Sequence, residues 1–167
     1  LGDFGSYMGY QGITNSVSVE FDTFKWQPAE FNDNHVAVNS GTFLNELARA
    51  VPGFDLNSGS KYYAWVDYDG ITDLLEVFVS DTAVKPGTSL IQATVDLETV
   101  VGDGAYFGFT AATGWAFNAH KILNWTLTGN DPSAGNNHGF IGLATSNVTV
   151  DEDAGEARID VLRTGGS

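Results

Sequence analysis

Short runs of alternating apolar and polar residues, broken by turn residues, recur along the chain. From Ser16 to Phe24, Val17, Val19 and Phe21 alternate with Ser18, Glu20 and Asp22. Successive side chains of a strand point to opposite faces, so this run predicts a strand with one apolar and one polar face. His35–Asn39 predicts a second strand and Lys61–Tyr68 a third. Asp69-Gly70 follows, then the alternating Leu74–Ser80; Asp-Gly supports a tight turn, so the pair predicts a hairpin. Leu90–Leu97, Ala105–Ala112 and His120–Leu127 continue the series at the spacing of a β-sandwich. Phe43–Val51 fits either a helical turn or a strand.

The alternation lapses from Thr128 to Asn137 into Gly, Asn, Asp, Pro and Ser, the composition of a linker. It resumes in Phe140–Val150 and Glu156–Leu162, on either side of the acidic turn Asp151-Glu152-Asp153-Ala154-Gly155. This divides the chain into residues 1–128, a linker at 129–138, and a tail at 139–167. A tail of about thirty residues is too small to bury a core of its own, so it is expected to pair with other strands.

Composition narrows the classes. With 43% hydrophobic and 13% aromatic residues the chain can bury a core, and 20 glycines with 17% charged residues favour strands and turns over helices. The formal net charge of -14 argues against nucleic acid and anionic membrane surfaces as partners, which need a Lys/Arg footprint; it permits divalent cations, and equally fits acidity that only keeps an extracellular protein soluble. The absence of cysteine leaves the compartment open. No run approaches the roughly 20 apolar residues of a membrane span. Leu1 opens the chain inside a Gly/aromatic stretch and Gly-Gly-Ser closes it, so both ends read as cuts within a longer protein.

The chemistry concentrates in Val19-Glu20-Phe21-Asp22-Thr23-Phe24 and Asn32-Asp33-Asn34-His35. Glu20 and Asp22, two apart on a strand, share a face roughly 6.5–7 Å apart along the chain, and Asp33 and His35 do the same if extended. Carboxylates suit a hard cation such as Ca2+, and an imidazole favours a transition metal. Residue types alone equally describe a solvated polar strand face followed by a charged turn.

A resemblance bears on that choice. Ser-Val-Ser-Val-Glu-Phe-Asp-Thr-Phe at 16–24 and Asn-Asp-Asn-His-Val-Ala-Val-Asn-Ser at 32–40 resemble the metal-binding strand and loop of legume-type (L-type) lectins. Lys61–Gly70 with Leu75-Glu76-Val77 is similar to the family's later hairpin, especially in bacterial members. Tyr106–Gly114 and His120–Trp125 resemble the closing strand pair, and Leu1–Tyr10 the Gly-rich loop before the metal strand. The resemblance runs in order over residues 1 to about 128 and implies an all-β, concanavalin-like jelly-roll sandwich, here partial.

It also implies ligands. Glu20 and His35 would hold a transition-metal ion such as Mn2+; Asp22 and Asp33 would bridge to Ca2+, with the Phe24 carbonyl and the Asn32 amide completing the shell. The backbone of Gly9 and Tyr10, the Asn32 amide and the Gly114-Trp115 loop would face a saccharide. Trp115 or Phe117 would supply the apolar wall a pocket needs, unless they cover a loop base or a partner surface. Three features depart from the family. Lys25-Trp26-Gln27-Pro28 stands where an Asn is usual, and only Asn34 separates Asp33 from His35, a shortening that threatens the transition-metal position more than calcium. The family's N-terminal strands are absent, leaving sheet edges that strands from a missing region or another subunit would fill.

The tail, from Gly139-Phe140-Ile141-Gly142-Leu143 to Val161-Leu162-Arg163-Thr164, is similar to the opening strands of a Calx-β domain, a hairpin of a second β-sandwich. Glu152 and Asp153 would then be calcium ligands; a plain hairpin with a solvated acidic turn fits as well. Three functions remain: a calcium-dependent carbohydrate-binding module of an extracellular, adhesin-like cell-surface protein; a structural module of a surface protein or filament; and a glycoside hydrolase. Retaining glycosidases need two carboxylates roughly 5–5.5 Å apart, and Phe24 and Lys25 stand where a sandwich glycosidase carries its second glutamate. His35, His120 and His138 have no nucleophile partner in sequence, so no enzyme is expected.

Overall fold

The apolar side of each N-terminal run meets another apolar side. The computed structural model describes residues 2, 5–25, 31–42, 44–102, 104–114, 116, 118–128 and, for their backbone pairing, 140–143 and 161–164. Val17–Asp22 (β1), His35–Ser40 (β2) and Glu46–Ala50 (β3) form one antiparallel sheet in the order β1-β2-β3. Tyr63–Asp69 (β4), Leu74–Ser80 (β5) and Ile91–Thr94 (β6) form a second, in the order β4-β5-β6. The fold is all-β apart from short helical turns, as expected of part of a jelly roll. The ambiguous segment at 43–51 is a strand over its described residues 46–50, with a bulge at Leu47 where the register on β2 shifts between Val38 and Asn39.

Both sheets feed one core. Val36 and Val38 of β2 and Val77 of β5 are fully buried, joined by Leu75, Ile91, Ala93 and Val95. Val17, Val19 and Phe21, the apolar positions of β1, pack on its margin. β2 is buried on both faces from His35 to Asn39. One face carries Val36 and Val38; the other carries His35, Ala37 and Asn39, and that second face builds the site.

The strand expected over Leu90–Leu97 ends early because Asp96 caps a helix, Leu97–Val101 (α1). Its Oδ1 accepts the Thr99 N–H at 2.9 Å and its Oδ2 the Thr99 hydroxyl at 2.7 Å, satisfying donors that the first turn leaves free. The β4–β5 hairpin forms as expected, closed by Asp69, whose carboxylate accepts the Ile71 N–H and the Thr72 hydroxyl, each at 2.9 Å. These bonds hold its carboxyl below its ordinary range.

Tyr68 spans the same corner, donating to Asp73 Oδ1 at 2.9 Å and accepting the Leu97 N–H at 3.3 Å. Burial first, and the Asp73 carboxylate with it, push its phenol from 10.0 up to about 12 against the opposing Leu97 bond. A group that holds its proton more tightly when folded contributes fully below the unfolded value and loses that contribution as pH rises through the folded one. Melting temperature should therefore fall between pH 10 and about 12. Tyr68→Phe should lower the plateau and flatten this alkaline limb; an equally steep limb would assign the loss to other groups.

The expected strands Ala105–Ala112 and His120–Leu127 have no ladder among the described residues. Alternation specifies an extended, half-buried segment but names no partner, and a strand exists only once its N–H and C=O groups are paired. In the tail, Phe140–Leu143 (β7) pairs antiparallel with Val161–Thr164 (β8), Phe140 opposite Thr164 and Leu143 opposite Val161. The acidic turn expected at Asp151–Gly155 lies outside the described residues. Two units result: Leu1–Val101 with Thr110–Asn118, and Gly102–Phe109 with Ala119–Ser167. Among the described residues no helix is long and apolar enough to cross a membrane.

Candidate functional site

Register brings the polar face of β1 against that of β2. Asp22 pairs with His35, Glu20 with Ala37, and Ser18 with Asn39. Directly opposed residues of an antiparallel pair share a face, so the small Ala37 leaves Glu20 room to reach its diagonal neighbours His35 and Asn39. One ligand-capable atom from each of Glu20, Asp22 and His35 lies within 4.8 Å of the others.

Burial makes this group unusual. Asp22, His35 and Asn39 are 8%, 5% and 1% exposed, and among the described residues they are the buried polar or charged side chains. Withdrawing such groups from water is costly unless each is paired, yet His35 Nδ1 has no hydrogen-bond partner. The imidazole meets Phe31 edge-on at 5.7 Å, and the Arg49 guanidinium lies 4.3 Å from the centre of that same ring. Asp22 Oδ1 accepts the Phe24 N–H at 2.7 Å, holding the chain where it leaves β1.

A second layer stands behind the group. Glu20 Oε2 accepts the Tyr10 hydroxyl at 2.7 Å and Asn39 Nδ2 at 2.9 Å, and Asn39 Nδ2 lies 3.3 Å from the Tyr10 oxygen. Burial, and then the Glu20 charge, hold the Tyr10 phenol well above its ordinary value, so it stays a protonated donor.

Other expected ligands are placed differently. Asp33 is exposed and stands outside the group. Asn32 Oδ1 accepts the Asn34 N–H at 3.0 Å, a local turn that occupies the amide. Phe24 is exposed. Asn34 anchors the segment before β2: its Nδ2 donates to the Phe54 carbonyl and its Oδ1 accepts the Leu56 N–H, each at 2.9 Å.

The expected saccharide-facing loops lie side by side. A Cβ on Gly9 would fall 3.2 Å from the Ala111 carbonyl oxygen and from Thr110 Cβ, and one on Gly114 would fall 3.4 Å from Gly5 Cα. Gly9 also has φ +76°, a conformation that strains other residues, so turn and packing both require glycine. The turn through Gly5–Tyr10 therefore packs on 110–114. Trp115, Phe117, Glu152 and Asp153 lie outside the described residues.

Over residues 5–140 the sequence matches the legume lectin domain. The chain belongs to the legume lectin family. The lectin is similar to receptor kinases of Arabidopsis thaliana. It is 33% identical over 126 residues to L-type lectin-domain containing receptor kinase S.6, covering 70% of this chain and 18% of that one. To receptor kinase VIII.2 it is 30% identical over 135 residues, covering 77% and 19%. The lectin thus spans about a fifth of the length of these relatives.

The donor set in the lectin fits the divalent cations that its family implies. Two carboxylates offer hard oxygens, the imidazole offers a nitrogen, and the orphaned Nδ1 belongs to a histidine only 5% exposed. The structure brings Glu20, Asp22 and His35 together. Asn39 and the Tyr10 hydroxyl were missed; the available signal was a polar residue closing the apolar run Val36-Ala37-Val38.

Proposed function

We propose that this lectin binds carbohydrate through loops ordered by a divalent cation held at Glu20, Asp22 and His35. The observation that carries the reading is a group of two carboxylates and an imidazole whose buried Nδ1 has no hydrogen-bond partner, with Glu20 bonded to Tyr10 of the turn that packs on 110–114. A cation there would supply positive charge and fixed ligand directions. Glu20, Asp22 and His35 would hold it, with Ca2+ favoured by the carboxylates and Mn2+ or another transition metal by His35. Asp33, the Asn32 amide and the Phe24 carbonyl would complete a calcium shell. The backbone of Gly9 and Tyr10, with Gly114 and Trp115, would then face the sugar.

We read the protein as an extracellular binding module of a larger cell-surface or adhesin-like protein, not an enzyme. The family is one of lectins, and the relatives' names join such a domain to receptor kinases. Residues 1–128 would form the lectin, and 139–167, beyond a linker at 129–138, the start of a Calx-β-like domain with Glu152 and Asp153 as calcium ligands. We read the domain as bacterial-like from the likeness of Lys61–Gly70 to the family's later hairpin. A second reading, an assembly module, is favoured by one observation. Among the described residues, segments 105–112 and 120–127 have no ladder and expose Tyr106, Phe109, Leu123 and Trp125, so strands from elsewhere could pair there.

The test is a thermal melt in Ca2+, Mn2+ and chelator, then a glycan array in the same buffers. Cation at a hundredfold excess over its dissociation constant should raise apparent stability by about 2.7 kcal/mol, and glycan retention should vanish in chelator. A melt indifferent to both cations would remove the cation from the reading. Failure of the loaded protein to retain any glycan would leave the assembly module.

A further inference from the structure

We infer that Tyr10 and Asn39 are positioning residues that hold the Glu20 carboxylate for the cation and tie the Gly5–Tyr10 turn to it. The inference rests on the cation reading above and adds the residues that act through Glu20.

Both donors are buried, Tyr10 at 8% and Asn39 at 1% exposure, and both converge on the same oxygen, Glu20 Oε2, at 2.7 and 2.9 Å. In this arrangement both turn a donor, the phenol O–H and the amide N–H, toward the Glu20 carboxylate. They come from different directions: Asn39 from the neighbouring strand, Tyr10 from the turn that packs on Thr110 and Ala111. A glutamate side chain has three rotatable torsions, and bonds to one oxygen from two fixed donors remove most of that freedom. Donors that orient a metal ligand from behind set its affinity without touching the ion. The Asn39 amide also lies 3.3 Å from the Tyr10 oxygen, so the two donors brace each other. Displacing the turn would pull on Glu20, and ordering Glu20 would hold the turn.

The experiment is calorimetric titration of Mn2+ and Ca2+ into the metal-free full chain at a temperature where every variant is folded. Tyr10→Phe removes one donor and keeps the ring. Asn39→Ser shortens the reach of the other and carries the test if the first variant does not fold. Each should weaken cation binding about 10–100-fold. A residue that merely stabilised the fold would lower the melt in chelator and leave the folded protein's affinity unchanged. Wild-type binding with unchanged affinity in both variants overturns the positioning role and leaves the cation reading intact. A wild type that binds neither ion overturns both.

Discussion

Asp22→Ala should abolish the cation-dependent rise in melting temperature. Asp22 is 8% exposed and directly opposite His35, so its carboxylate cannot be replaced by a neighbour without moving a strand. In wild type the expected gain of about 2.7 kcal/mol corresponds to roughly 5–10 °C for a chain of this size. Without cation the substitution has two opposing effects. It removes the acceptor of the Phe24 N–H, a bond at 2.7 Å, and bonds to charged groups contribute about 1.5–3 kcal/mol. It also relieves repulsion from Glu20, whose ligand-capable oxygen lies within 4.8 Å. The melt in chelator should therefore shift less than the melt in cation. Asp22→Asn separates the effects, because the amide oxygen can still accept from Phe24 while the charge is gone; it should keep the chelator melt and lose most of the response. Paired melts of both variants decide the matter. A wild-type response in Asp22→Ala would take Asp22 out of the site.

How much of this was legible beforehand depends on what each feature needs. The two faces of β1 follow from period two, because Val17, Val19 and Phe21 must go to the core and therefore send Glu20 and Asp22 the other way. The meeting with His35 needs register across two strands, which local spacing cannot supply; the resemblance supplied it. The Tyr10–Glu20 bond was invisible, since it joins a turn to a strand ten residues on, a contact that only the folded chain creates. Asn39 showed its polarity but not its partner. Asp33 shows the converse. Its spacing matches a ligand, and the turn that Asn32 makes on the Asn34 N–H brackets it and leaves its side chain exposed.

The end of β6 was misread for a related reason. Leu97 continues the alternation, but Asp96 three residues before Thr99 is also a helix cap, and a local bond wins when no neighbouring strand competes for that backbone. Segments 105–112 and 120–127 carry the same lesson without a cap. Their alternation says that one side should be buried, and only a partner strand can say against what.

Leu75→Ala should give the largest loss of stability and should leave cation affinity untouched. Leu75 is 4% exposed on the middle strand of the second sheet, in the cluster that also contains Val36, Val38, Val77 and Ile91. Truncating a buried leucine removes its transfer free energy and leaves a cavity, at a cost of roughly 2–5 kcal/mol. Leu44→Ala, at 78% exposure, should stay within about 0.5 kcal/mol of wild type in denaturant titrations. The cavity would open against the Val36 and Val38 face of β2, whereas His35 and Asn39 leave the opposite face. A packing defect on one side changes the population of folded molecules but not the donors on the other. Melts of Leu75→Ala should therefore start lower and rise by the same increment in cation as wild type. If its folded-state cation affinity also fell tenfold, the two faces of β2 would be mechanically linked, and packing of the core would itself set the position of His35.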